Sequence, residues 1–386
     1  MDFSLSDDQK NLRKSLIEFA RAELNGDVAA RDLAQEFPRD LWLKCGERRL
    51  QGLPVPAEYG GLGLDPLSSA LALEALGYGC EDNGLLFAVS AHLVASVVPI
   101  WTFGNEEQRR RYLPGMCDGA IIGCNAITEP ETGSDAFAIS TRAEKTDEGY
   151  RLNGVKRYIS NAPVADVTII YALTDAERRF HGGITAFLVD SRTPGLTVSR
   201  QRIDKMGLRT VLMGELTLDD VYVHDSSILG GLGMGAKAFM HSMDWERICL
   251  FATHVGTMER LLEISIKQAK SRNQFGQPIG KFQAISHRIA EMKVALEAAR
   301  LLVYRGAWNL ERSTAASLDA SIAKLFTSEA YVESAQAALQ IHGARGFLTE
   351  FGVERMVRDA LGSTIYSGTS EMQKNIIARW LGLPVT

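Results

Sequence analysis

A carboxylate placed among apolar residues is the first feature of this chain that could do chemistry. Met243-Asp244-Trp245-Glu246-Arg247 lies within a run from about Gly235 to Lys270 whose apolar residues recur at helical spacing. Phe239, Met243 and Leu250 make one stripe, with Met240, Phe251, Val255 and Met258 beside it. Glu246 follows Met243 by three residues and precedes Leu250 by four, so a helix turns it to the same inward side. A carboxylate in that position is paired, metal-bound or held for proton transfer, because an unpaired buried charge is expensive. An ion pair with Arg247, or with an arginine from another helix, satisfies these residues as well as a general base does.

Other chemical readings are weaker. Gly230-Gly231-Leu232-Gly233-Met234-Gly235 invites a phosphate loop, but it lacks the Gly-x-Gly-x-x-Gly spacing, a downstream Gly-Lys-Ser/Thr and a surrounding βαβ unit. It reads as a flexible entry to the long helix. Cys45, Cys80, Cys117, Cys124 and Cys249 form no C-x-x-C pair, so no zinc site or disulfide framework is expected and a reducing compartment is the default. Arg109-Arg110-Arg111 follows Glu106 and Glu107 and reads as a solvated helix face. The net charge of -5 gives no reason to expect nucleic acid or an anionic membrane as partner. No apolar run is read as reaching the roughly 18 residues of a membrane span. The acidic start, Met1 to Asp8, has neither a signal-peptide core nor an Arg-rich transit pattern, so a cytoplasmic location is expected.

The elements that must position Glu246 fall into three blocks. Residues 1–118 read as an N-terminal helical domain, with Ser6-Asp7-Asp8 capping a helix from Gln9 to Leu24. Pro54 to Asp65 is a turn-rich break, followed by helices at about Pro66–Tyr78 and Asn83–Phe103, the second too apolar all round for a surface helix. Residues 119–230 read as a small β domain, a sandwich or barrel, with strands at Val167–Leu173, Ile184–Val189, Leu196–Ser199 and Glu215–Val223. Asn153-Gly154 between Tyr150-Arg151-Leu152 and Val155–Ile159 predicts a β-hairpin turn. Residues 231–386 read as a bundle of long helices: Gly235–Ser271, Ala284–Glu311, Leu318–His342, Val353–Leu361 and Ser370–Leu381, with Gly343 and Gly346 at a helix end. The fold class is mainly α with a central β domain.

Six segments then carry a resemblance. They are Val55 to Gly63 (VPAEYGGLG), Ala126 to Asp135 (AITEPETGSD), Ser271 to Ile279 (SRNQFGQPI), Phe282-Gln283, Gln340 to Phe347 (QIHGARGF) and Ile365 to Gln373 (IYSGTSEMQ). In this order, on helix–strand–helix architecture, they resemble the acyl-CoA dehydrogenase family of flavoproteins over essentially the whole chain. The resemblance implies a bound FAD, whose N5 takes a hydride from the β-carbon of an acyl thioester while a carboxylate removes the α-proton. It implies flavin contacts at Ile127, Thr128, Gly133 and Ser134, with Ser134 also near the thioester. Tyr158, Ile159 and Ser160 match the segment beside the isoalloxazine ring, where many members have Trp at the position of Tyr158. Arg272, Phe275, Phe282 and Gln283, with Gln340, Ile341, Gly343 and Ala344, match residues that reach the FAD of a neighbouring subunit. Thr369 and Glu371 match the helix start that holds the dinucleotide. A homotetramer, a dimer of dimers, and an acceptor such as electron-transferring flavoprotein are further implications.

One departure concerns the base itself. Many members place the catalytic carboxylate in Tyr-Glu-Gly-Thr, where this chain reads Tyr366-Ser367-Gly368-Thr369. A serine hydroxyl does not deprotonate a carbon acid without its own base. A subgroup, including isovaleryl-CoA and prolyl-carrier-protein dehydrogenases, puts the base in an Asp-x-Glu-Arg context on the long helix, which Asp244-Trp245-Glu246-Arg247 matches. The resemblance therefore implies Glu246 as the catalytic base. The resemblance also places Asp244, Arg247, Tyr366, Ser367 and Gly368 on the substrate side and implies that the Ser367 N–H helps polarise the thioester carbonyl. The expected substrate is a short branched, cyclic or aminoacyl group on CoA or a carrier protein. The same scaffold also carries flavin oxidases and hydroxylases, and a non-catalytic flavin-binding member is a further alternative.

Overall fold

The computed structural model describes residues 4–384, so Met1-Asp2-Phe3 of the acidic start lie outside the described residues. The chain begins with α1 (Asp7–Glu23), entered through a reciprocal cap: the Ser6 hydroxyl accepts from the Gln9 N–H, and the Gln9 side chain accepts from the Ser6 N–H. Helices α2 (Val28–Ala34) and α3 (Arg39–Glu47) follow, then the glycine-rich break and α4 (Pro66–Gly79), capped by Asp65 with Pro66 at its first position. Helix α5 (Asn83–His92) passes through one π-helical turn, Leu93–Val97, into α6 (Val98–Phe103), and α7 (Glu106–Cys117) ends the block. Residues 83–103 thus form one helical stretch of mean hydropathy 1.8, long and apolar enough to cross a membrane. That corrects the expectation that no apolar run reaches such a length. With 89% of the window buried inside the protein, packing against neighbouring helices accounts for its composition.

The middle of the chain contains β1 (Gly123–Ala126), β2 (Arg142–Lys145), β3 (Gly149–Ser160), β4 (Val167–Leu173), β5 (Ile184–Asp190), β6 (Leu196–Arg200), β7 (Met213–His224) and β8 (Ile228–Leu229). The strand order is β6-β7-β3-β2-β4-β5-β8, with β1 added in parallel on β4. One bridging pair, Arg142 opposite Leu173, joins the two halves. The halves share a core in which Tyr150, Leu152, Leu216 and Val221 meet Ile170, Ala172, Phe187 and Val189. The predicted hairpin turn at Asn153-Gly154 is incorrect. Both residues lie inside β3, where a bulge shifts the register against β7 between Leu152 and Gly154. Glycine is needed there for a close approach, since a Cβ on Gly154 would lie 2.4 Å from Thr141 Oγ1. The real turn comes earlier, where the Thr146 N–H donates to the Gly149 carbonyl.

Helix α8 (Gly235–Ser271) opens the last block, followed by a two-residue β9 (Asn273–Gln274) and β10 (Gln277–Pro278). Then come α9 (Gln283–Asn309), α10 (Ala316–His342), α11 (Ala344–Phe347), α12 (Val353–Gly362) and α13 (Ser370–Trp380). Helix α8 packs on α4, α9 and α10, and Leu250, Phe251, Val255 and Met258 are buried in the main core. Each such side chain stabilises the fold by about 1.5–3 kcal/mol. Met240 breaks the expected stripe, being 42% exposed. Glycines bring α4 and α8 into backbone contact: a Cβ on Gly77 would lie 2.0 Å from the Thr253 carbonyl oxygen, and one on Gly256 2.0 Å from that of Glu74.

Candidate active site

The turn between α12 and α13 crosses α8 at Glu246. Ser367 Oγ donates to Glu246 Oε1 at 2.5 Å, joining residues far apart in sequence. Glu246 is closely surrounded by protein atoms, yet solvent still reaches part of it. Burial raises its pKa above the ordinary carboxylate value, and the Ser367 hydrogen bond and the charges of Arg247 and Lys324 oppose that rise. Arg247 is not its ion-pair partner. The guanidinium contacts Asp244 at 3.4 Å, and its Nε donates to the Ser367 carbonyl at 3.3 Å. Asp244 in turn accepts from the Ser317 hydroxyl at 2.5 Å. Of these two residues, both expected on the substrate side, Arg247 ties α8 to the 366–368 turn, while Asp244 braces Arg247 and reaches α10 through Ser317.

The turn is clamped from two further directions. Gln373 Nε2 donates to the carbonyls of Ser367 (3.1 Å) and Gly368 (2.8 Å). The Tyr366 hydroxyl shares a 2.8 Å hydrogen bond with His254 Nε2 on α8. Burial depresses His254 to about 3, so the ring is neutral at physiological pH. His254 stacks on Tyr331, and Tyr366 packs edge-on against Phe87 at 4.9 Å. Ser367 takes φ +60 and Gly368 φ +86, and a Cβ on Gly368 would lie 2.7 Å from Gln373 Nε2. The result is a carboxylate bonded to a hydroxyl, beside the packed rings of Tyr366, His254, Tyr331 and Phe87. A carboxylate of raised pKa that solvent still reaches is suited to proton abstraction.

The segments matched to flavin contacts divide into exposed and buried positions. Gly133, Ser134 and Tyr158 are exposed and Thr128 and Ser160 partly so, whereas Ile127 and Ile159 face the core and offer only backbone groups. Arg272, Phe275 and Gln283 lie exposed along the β9–β10 turn and the start of α9, with Phe282 edge-on to Phe275 at 6.1 Å. Gln340, Gly343 and Ala344 are exposed at the end of α10, but Ile341 is buried. Thr369 caps α13, accepting from the Met372 N–H, and Glu371 is exposed in its first turn. Buried Thr132 Oγ1 and Ser370 Oγ have no hydrogen-bond partner among the described residues. A half-exposed ring at Tyr158, with the Arg157 guanidinium over it at 5.2 Å, unclaimed hydroxyls and a helix start suited to a pyrophosphate make a donor set that fits a flavin dinucleotide.

Glu129 organises one of those segments. It accepts from the Ser140 N–H and hydroxyl (both 2.6 Å), from the Thr141 N–H and hydroxyl (2.9 and 2.5 Å), and from buried Lys156 (2.8 Å). Burial pushes its carboxyl up, but Lys156 and the hydroxyl donors hold it at about 2. The sequence reading missed Lys324, Tyr171 and Gln373. Lys324 on α10 is fully buried, its Nζ has no hydrogen-bond partner among the described residues, and it lies 5.5 Å from the Phe251 ring. A lysine between Ala320, Ala323 and Thr327 on an otherwise small-residue face was the available signal. Tyr171 on β4 lies close enough for the Glu246 charge to raise its hydroxyl further after burial has done so.

Comparison with known proteins covers nearly the whole chain. The acyl-CoA dehydrogenase N-terminal domain matches residues 6–120, the middle domain 124–221 and the C-terminal domain 233–382. An L-prolyl-[peptidyl-carrier protein] dehydrogenase of Pseudomonas fluorescens is 44% identical, covering 99% of this chain and 100% of its own. The crystal structure of the prolyl acyl carrier protein oxidase AnaB superposes with a TM-score of 0.96 at 46% identity, over 98% of this chain and 100% of that one. PigA with FAD and proline superposes with a TM-score of 0.97 at 40% identity, over 99% and 100%.

Proposed function

The chain belongs to the acyl-CoA dehydrogenase family, and we propose that it oxidises an L-prolyl thioester carried on a peptidyl carrier protein, with Glu246 as the base. It is an FAD-dependent oxidoreductase that dehydrogenates thioesters. The observation that carries the assignment of the base is the Glu246–Ser367 contact, which sets the Glu246 carboxylate directly against the 366–368 turn. Full-length similarity to prolyl-carrier-protein enzymes supports the prolyl group.

In this reading the Glu246 carboxylate accepts the α-proton, and burial brings its basicity nearer the working pH. The Ser367 N–H and the turn that holds it orient the thioester carbonyl, stabilising the negative charge that develops there. The bound FAD supplies the hydride acceptor. We assign its pyrophosphate to the start of α13 at Thr369 and Glu371, and its ring to the face of Tyr158 with Ser160, Thr128, Gly133 and Ser134. Arg272, Phe275, Phe282, Gln283, Gln340, Gly343 and Ala344 serve a neighbouring subunit of a homotetramer. We keep the division at 118/119 and 230/231, a cytoplasmic location, and electron-transferring flavoprotein as acceptor. Oxygen is the second reading for the acceptor, because one relative is named an oxidase.

The test is anaerobic mixing of the FAD-loaded protein with a panel of thioesters. Bleaching of the flavin by L-prolyl-carrier protein, well ahead of butyryl-CoA and isovaleryl-CoA, is the expected result. Faster bleaching by either CoA ester contradicts the assigned substrate. Re-oxidation within seconds on admitting air would select oxygen over a protein acceptor.

A further inference from the structure

We propose that Ser367 is a positioning residue whose hydroxyl, by donating to Glu246, orients the carboxylate and supports its charged form. The inference rests on Glu246 being the base. It stands on geometry: a 2.5 Å hydrogen bond from Ser367 Oγ to Glu246 Oε1, made from a turn that further hydrogen bonds hold in place. Arg247 and Gln373 hold the Ser367 carbonyl, Gln373 also holds that of Gly368, and Tyr366 is tied to His254. The left-handed backbone at Ser367, φ +60, is uncommon for a serine. The 8% exposed side chain is then directed onto α8 rather than into solvent.

The groups facing Glu246 make this donor consequential. From α8 come Arg247 and, one step away, Asp244, which are committed to each other. From α10 comes Lys324, whose ammonium burial depresses to about 8, with Arg247 adding to the depression. From β4 and from the turn come the hydroxyls of Tyr171 and Tyr366, both held un-ionised by burial. None of these cations makes an ion pair with Glu246, so Ser367 is its direct hydrogen-bond partner among the described residues. A hydrogen bond to the ionised form favours that form, offsetting the burial that favours the proton. The serine at 367 thus supports the base on α8 rather than serving as a vestige of one.

Ser367→Ala and Ser367→Gly, each FAD-loaded, test this by kcat/KM against pH. Both remove the donor, but glycine also relieves the left-handed strain, so their stabilities should move apart while their pH profiles move together. The expected result is an acid limb displaced to higher pH in both, with kcat/KM roughly tenfold or more below wild type on the acid side and near wild type on the alkaline side. Infrared titration of the FAD-free protein, subtracting Glu246→Gln, should show the same displacement of one carboxyl band. A uniform loss at every pH, or an unmoved carboxyl band, overturns the inference and leaves Ser367 a structural residue. Should Glu246→Gln itself retain dehydrogenation, the assignment of the base fails instead, which the Ser367 profiles alone would not imply.

Discussion

Glu246 meets two opposing demands: it must be basic enough to take a carbon-bound proton, yet ionised before substrate arrives. Burial supplies the first, and the Ser367 hydroxyl with the Arg247 and Lys324 charges the second. Because burial wins and the folded-state pKa is raised, kcat/KM should rise with pH through a limb above 4.5, the ordinary value, and Glu246→Gln should abolish that limb. The same shift has a stability consequence. A raised carboxyl pKa contributes stability at low pH that is lost as pH climbs through the folded value. Glu246→Gln should therefore match wild type in Tm near pH 4 and exceed it progressively toward neutrality; equal Tm at all pH would contradict the burial argument. Glu246 itself was legible from its place on a helical stripe. Its partner was not, since nothing in local spacing tells that position 367 returns to lie across position 246.

At the scale of elements, the site depends on how α8 and the 127–141 segment are held. Gly77 and Gly256 set the separation of α4 from α8 by letting backbone touch backbone. Gly256→Ala should cost about 1–3 kcal/mol in urea unfolding and lower turnover by displacing the helix that carries Glu246. An unchanged unfolding midpoint would sink that account. Glu129 holds the flavin-side segment to β3 through Lys156. With both side chains at 3% exposure or less, Glu129→Gln should destabilise the fold by about 3–5 kcal/mol and weaken FAD retention, as read by thermal unfolding and by flavin fluorescence after gel filtration. Element types and most boundaries followed from periodicity and caps: β4 and α8 run over the predicted residues. Asn153-Gly154 misled because the dipeptide that favours a hairpin turn also suits a bulge, and which of the two forms depends on the approach of Thr141, a tertiary contact.

At the scale of the molecule, the C-terminal bundle leaves apolar residues uncovered. Val294, Leu301 and Trp308 on α9, Phe275 beside it, and Phe347 after α10 are all more than half exposed. Such surface is what a homotetramer would cover, and sedimentation should give four chains per particle; a stable monomer holding FAD would contradict this. Phe275, 93% exposed, contributes little to its own chain's core. Phe275→Ser should leave the Tm of FAD-free protein within about 1–2 °C while releasing FAD severalfold faster. The family and its cofactor were legible because six short segments fell in order on the right elements. Association between copies was not, because one chain's sequence does not record which exposed face would meet another. The central claim is that Glu246 takes the α-proton of a prolyl thioester. The most direct measurement is the anaerobic rate of flavin bleaching by L-prolyl-carrier protein in wild type and Glu246→Gln, at equal FAD content. The account predicts bleaching in wild type and a rate about 10²–10⁴-fold lower in the variant. Bleaching of the variant at near the wild-type rate would contradict it.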